Sequence, residues 1–124
     1  MSEIIYTKNA PEAIGPYSQA VKVGNIVFTS GQIAINPKTG NVEESTIEGQ
    51  TEQVMKNLSE VLKAAGTSIE KAVKTVCFLR NMEDFSKFNE IYGRYFTGKP
   101  ARSCVAAREL PKNVLVEVEV IAEI

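Results

Sequence analysis

The run Thr75-Val76-Cys77-Phe78-Leu79 contains no charged or amide side chain. A strand there carries Thr75, Cys77 and Leu79 on one face and Val76 and Phe78 on the other, so both faces want cover. The last ten residues or so repeat the problem. Val116, Val118 and Val120 form one side of a strand, and Leu115, Glu117, Glu119 and Ile121 form a mixed second side. A sheet with one solvated face reads polar at alternate positions, and these strands do not. Helices can cover one face. The other is expected to pack against further copies of the chain, closing a ring with clefts where subunits meet. The alternative is a monomer with a partly apolar exposed sheet.

The chain supplies two helices for the first face. Ser45 with Glu48 three residues later is a capping box. From there Ile47, Val54, Met55, Leu58, Val61, Leu62 and Ala65 recur at helical spacing, and Gly66 is a C-terminal stop. A second helix, which Asn81 can cap, carries Asp84 in its first turn. It turns Phe85, Phe88, Tyr92 and Phe96 inward and ends at Gly98 and Pro100. Strands are predicted over residues 3–7, 18–23, 26–30, 73–80, 101–107 and 114–123, with a tight turn at Gly24-Asn25. A short strand at 33–35 precedes the turn Asn36-Pro37-Lys38-Thr39-Gly40. Residues 9–16 form a loop. The resulting class is α+β: a single domain over residues 1–124, with a mostly antiparallel sheet and two helices on one face.

Charge and composition then exclude partners. A net charge of −1 leaves no basic footprint for a nucleic acid. No apolar run reaches the roughly 20 residues of a membrane helix, and the first residues lack the basic and long apolar regions of a signal peptide. Cys77 and Cys104 have no Cys-x-x-Cys spacing, which fits reduced thiols and a cytoplasmic location.

The chain contains no His. Proton transfer at neutral pH therefore falls to a carboxylate, Tyr, Cys or Lys. Arg102, in Pro100-Ala101-Arg102-Ser103-Cys104, shares a strand face with Cys104 and Ala106. A guanidinium there suits a planar carboxylate, held by two parallel hydrogen bonds. It equally suits a structural salt bridge to Glu117 or Glu119. Glu117 lies between two valines. If an interface buries it, lost water favours the neutral acid while a nearby Arg102 favours the carboxylate, and a group between those pulls can move protons. A solvated edge-strand Glu is the plain alternative. Tyr17 follows Gly15-Pro16, which can present its phenol to a cleft. At Ser30-Gly31, the glycine permits close approach of the backbone to a ligand or marks a bulge. Asn89 is a polar residue beside the aromatic face of the second helix.

His-based triads, glycine-rich nucleotide loops and metal clusters are all missing from the sequence. Cys104 as a nucleophile would need a base that the pattern does not supply.

Three motifs together are distinctive: Ala13-Ile14-Gly15-Pro16-Tyr17-Ser18-Gln19-Ala20, Thr29-Ser30-Gly31-Gln32, and Pro100-Ala101-Arg102-Ser103-Cys104 with Val116-Glu117-Val118. They closely resemble the RidA (YjgF) family of reactive-intermediate deaminases, from Ile4 to the C-terminus. The resemblance implies a chorismate-mutase-like fold and a homotrimer with active sites between subunits. It implies hydrolysis of 2-imino acids and their enamine tautomers, such as 2-aminoacrylate and 2-aminocrotonate, to 2-keto acids and ammonia, with no cofactor and no metal. It further implies that Arg102 clamps the substrate carboxylate and Glu117 activates water and handles protons. Tyr17, Ser30, Gly31, Asn89 and Cys104 would line the pocket.

Two positions depart from the family pattern. The loop between Phe96 and Pro100 is several residues shorter than in many relatives, which bears on substrate size. Val118 replaces a common Ile or Met. Two other functions compete: a module that binds small carboxylates for regulation, and a ribonuclease or translation inhibitor. The charge and the absence of His disfavour the latter.

Overall fold

A computed structural model describes residues 1–124. Eight strands and two α-helices follow one another as β1 (Ser2–Ile5), β2 (Ala20–Val23), β3 (Ile26–Thr29), β4 (Ile35–Asn36), β5 (Asn41–Val42), α1 (Ile47–Ala64), β6 (Ala72–Leu79), α2 (Phe85–Tyr95), β7 (Ala101–Ala106) and β8 (Val116–Glu123). Six strands form one sheet in the order β1-β2-β3-β8-β6-β7. All neighbours are antiparallel except β6 and β7, which run parallel because α2 carries the chain back between them. The strands β4 and β5 form a separate small hairpin, of which only the first strand is foreshadowed in sequence. No helix is long and apolar enough to cross a membrane.

Both helices cover the face carrying Val27, Thr75, Cys77, Leu79, Val116, Val118, Val120 and Ala122. Helix α1 buries Ile47, Val54, Met55, Leu58, Val61 and Leu62 against it, the stripe its spacing predicts. Each such side chain contributes roughly 1.5–3 kcal/mol of transfer free energy. Helix α2 adds Phe88, Ile91 and Tyr92. The predicted alternation of β6 and β8 is thus realised residue by residue.

The caps differ from expectation. Thr46, not Ser45, caps α1; its Oγ1 accepts the Gly49 N–H at 3.0 Å. The register of the first turn decides this, because a cap serves the N–H two or three residues on and α1 starts at Ile47. Asn81 makes no side-chain capping bond. A 3-10 turn at Met82–Asp84 intervenes, and α2 begins only at Phe85. That delay sets which residues of α2 face the sheet edge.

The second sheet face is open in the single chain. Phe28 is 45% exposed and Val105 50%, with Ile4 at the far edge more exposed still. Pairing places Ile4, Val21, Phe28 and Ile121 in one row across the sheet, with Val76, Phe78 and Val105 on the same face. This face is apolar, unpartnered, and carries Glu117 and Glu119.

Candidate functional site

The site grows from an irregularity in the β3 edge. Phe28 pairs with Ile121, but Gln32 pairs with Val118. Four steps on one strand therefore oppose three on the other, which is a one-residue bulge at Thr29-Ser30-Gly31. Two of its residues are held by hydrogen bonds. Thr29 Oγ1 accepts the Val120 N–H at 3.0 Å, in place of a ladder carbonyl. The Ser30 N–H donates to Gln19 O at 2.8 Å and its hydroxyl to Ser18 O at 2.5 Å.

Glu117 crosses directly over the bulge. A Cβ added to Gly31 would overlap the Glu117 carboxylate, with its Cδ at 2.8 Å. Gly31 is required there for close approach, not for backbone freedom. Glu117 is half-buried, and its pKa is raised, first by burial and then by the neighbouring charge of Glu119. The predicted downward pull from Arg102 does not operate within the chain.

Around Glu117 lies a cleft of about 520 Å³, lined by Tyr17, Ser30, Gly31, Gln32, Glu12, Ile14, Ile33, Ile35, Pro111 and Lys112 among others. The buried Gln19 fixes the loop that forms one wall. Its Nε2 donates to Thr7 O at 3.0 Å and Pro11 O at 2.8 Å, and its Oε1 accepts the Thr7 N–H at 2.7 Å. Tyr17 is exposed at the mouth, its hydroxyl within 3.4 Å of the Ile14 N–H. The Lys112 wall holds its shape through two consecutive left-handed residues, Lys112 at φ 53° and Asn113 at φ 57°.

Arg102 is elsewhere. It pairs with Thr75, so it faces the helices, whereas Glu117 pairs with Phe78 on the open face. The two Cα atoms are roughly 14 Å apart from strand spacing and rise. The salt bridge from Arg102 to Glu117 or Glu119 is therefore impossible within one chain; the chain's ion pairs are Lys87 with Glu48 and Arg94 with Glu52. Instead Arg102 Nη1 donates to Asn89 Oδ1 at 2.7 Å. Its guanidinium carbon lies 5.3 Å from the Phe85 ring centre and 4.8 Å from that of Tyr92. A second cavity of about 480 Å³, under the short loop before Pro100, opens beside it and is lined also by Phe96, Thr97 and Lys99.

Cys104 faces the same side as Arg102, directly opposite Cys77. Both are free thiols. Burial pushes Cys77 up to about 12 and raises Cys104 despite the Arg102 charge, so neither is a thiolate at neutral pH. The seven residues singled out in sequence thus fall into two groups. Tyr17, Ser30, Gly31 and Glu117 share the bulge cleft; Asn89, Arg102 and Cys104 share the β7 edge. Gln19 lies inside the first of the three motifs but has no role of its own assigned by sequence, while the cleft residue Lys112 and the buried Thr75 behind Tyr92 carry no distinguishing functional signal, since each is common as a loop or core residue.

This arrangement has known counterparts. A family profile described as Endoribonuclease L-PSP matches residues 7–124. A RutC family protein of Pyrococcus horikoshii is 50% identical over 98% of this chain and 98% of its own length. The chloroplastic Reactive Intermediate Deaminase A of Arabidopsis thaliana is 46% identical over 97% of this chain and 65% of its own length. The crystal structure of Escherichia coli TdcF with bound serine superposes with a TM-score of 0.94 at 40% identity, covering 98% of each chain.

Proposed function

Because the chain belongs to the YjgF/RidA family of reactive-intermediate deaminases, we propose that it hydrolyses 2-imino acids and their enamine tautomers to 2-keto acids and ammonia. The observation that carries this reading is Glu117, a carboxylate with a raised pKa held over a glycine in a cleft that has no His. An imine carbon is already electrophilic, more so when its nitrogen is protonated. Water adds across C=N as Glu117 takes a proton from it, giving a carbinolamine. The same group returns the proton to nitrogen; as the C–N bond breaks, the hydroxyl proton passes back to the Glu117 carboxylate, leaving a keto acid and ammonia. No covalent intermediate is needed, only orientation and one proton carrier.

A 2-imino acid also brings a carboxylate. Arg102 has no acidic partner and is the matching cation. Since it lies on the other sheet face, the reading requires Arg102 of the partner subunit to meet Glu117. A ring provides this, with the β7 edge of one copy beside the open face of the next. We assign it three subunits, as the family resemblance implies. Tyr17, Ser30 and Gly31 then line one wall, and Asn89 and Cys104 of the partner subunit the other. A relative solved with serine bound gives support, since serine presents the same carboxylate and α-nitrogen.

The test generates 2-aminoacrylate with a serine dehydratase and follows pyruvate formation. The wild-type protein is expected to accelerate the hydrolysis, and Glu117→Gln and Arg102→Ala are expected to abolish most of the effect. Full acceleration by Glu117→Gln would remove the proposed proton carrier.

A further inference from the structure

The geometry points to Phe85 and Tyr92 as positioning residues that hold the Arg102 guanidinium in place without neutralising it. This rests on Arg102 as the carboxylate clamp. An arginine fixed by a carboxylate has spent its charge, and a substrate must compete with that partner. Here the guanidinium is held by two ring faces, both inside the roughly 6 Å reach of a cation–π contact. Its one hydrogen bond within the chain goes to a neutral amide, Asn89. Five N–H donors in a fixed fork leave an edge free for a planar anion.

Tyr92 is itself fixed from behind. Its hydroxyl shares a 2.7 Å hydrogen bond with the buried Thr75 Oγ1, and its ring stacks on Phe96 at 4.4 Å. Thr75 is the register partner of Arg102 across β6 and β7. The strand pair thus sets the Arg102 backbone and, through Tyr92, one of the surfaces its side chain rests on. Phe85 supplies another from the first turn of α2, where the 3-10 turn before it fixes the helix start. A lysine at position 102 could still place its ammonium near these rings, but it has no planar face to stack on them and no fork of parallel N–H groups to offer a carboxylate.

The test compares Phe85→Leu, Phe85→Tyr and Arg102→Lys in the full-length protein. Phe85 is partly buried and packs against the edge of the core, so a thermal melt of each variant accompanies the binding measurements and Phe85→Tyr serves as the conservative control. Three readouts are taken: KM and kcat for imine hydrolysis, the dissociation constant for 2-oxobutanoate, and NMR relaxation of the Arg102 Nε–Hε group. Phe85→Leu is expected to raise KM and the 2-oxobutanoate constant roughly 5- to 10-fold, with kcat little changed and the Nε–Hε group newly mobile. Phe85→Tyr, which restores an aromatic face, is expected to recover all three. A rigid Nε–Hε group and unchanged affinity in Phe85→Leu, alongside weakened binding in Arg102→Lys, would overturn the cradle while leaving the clamp. A mobile Nε–Hε group with affinity unchanged in both Phe85→Leu and Arg102→Lys would instead uphold the cradle and reject the clamp.

Discussion

Arg102 and Glu117 project from opposite faces of one sheet, two strands apart, so no rotation of either side chain brings them together in a single chain. Each is without a counter-ion of its own. A reaction that uses both must take one from each of two subunits.

Mixing subunits checks this directly. Arg102→Ala and Glu117→Gln proteins are expected to be nearly inactive alone. Unfolded and refolded together in equal amounts, they are expected to regain about a quarter of wild-type activity, because one site in four draws its intact Arg and its intact Glu from different copies. Pyruvate release from 2-aminoacrylate is the measurement. No recovery in a well-assembled mixture would mean that the two residues do not share a site.

Gly31→Ala is expected to separate activity from stability. The added Cβ meets the far end of a flexible side chain, which can swing aside. The thermal midpoint should therefore fall by only a few degrees, the lower end of the usual overpacking cost of about 1–3 kcal/mol. Activity should fall by roughly 100-fold, the scale for losing a general acid–base group. Calorimetry and steady-state rates on one preparation decide it.

The pKa of Glu117 lies above its ordinary value when the chain is folded. The unfolded chain releases that proton more readily, so the contribution to stability is present in full below the ordinary carboxylate pKa and is lost as pH rises through the folded value. Glu117→Gln removes the cost of the buried charge. In the dissociated single chain, where no Arg102 of the partner subunit faces Glu117, the variant is expected to melt higher than wild type at pH 7, and the gap is expected to shrink when both are melted below the ordinary carboxylate pKa. Melting curves that stay parallel across that window would contradict the burial of Glu117.

The α1 cap can be tested without touching the cleft. Thr46→Ala removes the hydroxyl that accepts the Gly49 N–H and should cost about 1 kcal/mol. Ser45→Ala should cost nothing measurable by urea denaturation. The reverse ranking would move the cap back to Ser45.

Much of the architecture is legible in the residues. The stripe from Ile47 to Leu62 and the alternation of Val116, Val118 and Val120 are periodic signals, and burial follows them directly. The Gly24-Asn25 turn is equally local, with Gly24 at φ 58° as a tight primed turn requires. What local pattern misses is register. The capping box at Ser45 and the Asn81 cap fail by one and by three residues, because several polar residues near a helix start satisfy the same pattern and packing selects among them. The bulge at Thr29-Ser30-Gly31 is likewise invisible as a count. It exists only because Gln32 finds Val118 after Phe28 has found Ile121.

Sequence by itself determined the class of the fold and the apolar character of both sheet faces, and the missing His narrowed the proton carriers at neutral pH to a carboxylate, Tyr, Cys or Lys. It also singled out Arg102 and Glu117, but as a plausible pair on neighbouring strands. The tertiary structure decided that they are not neighbours. Strand order and the parallel β6–β7 pairing set which face each side chain takes, and these depend on contacts between residues far apart in the chain. Alternation along a strand fixes only which residues share a side. Which side faces the helices, and which stays open in the single chain, is settled when the sheet assembles.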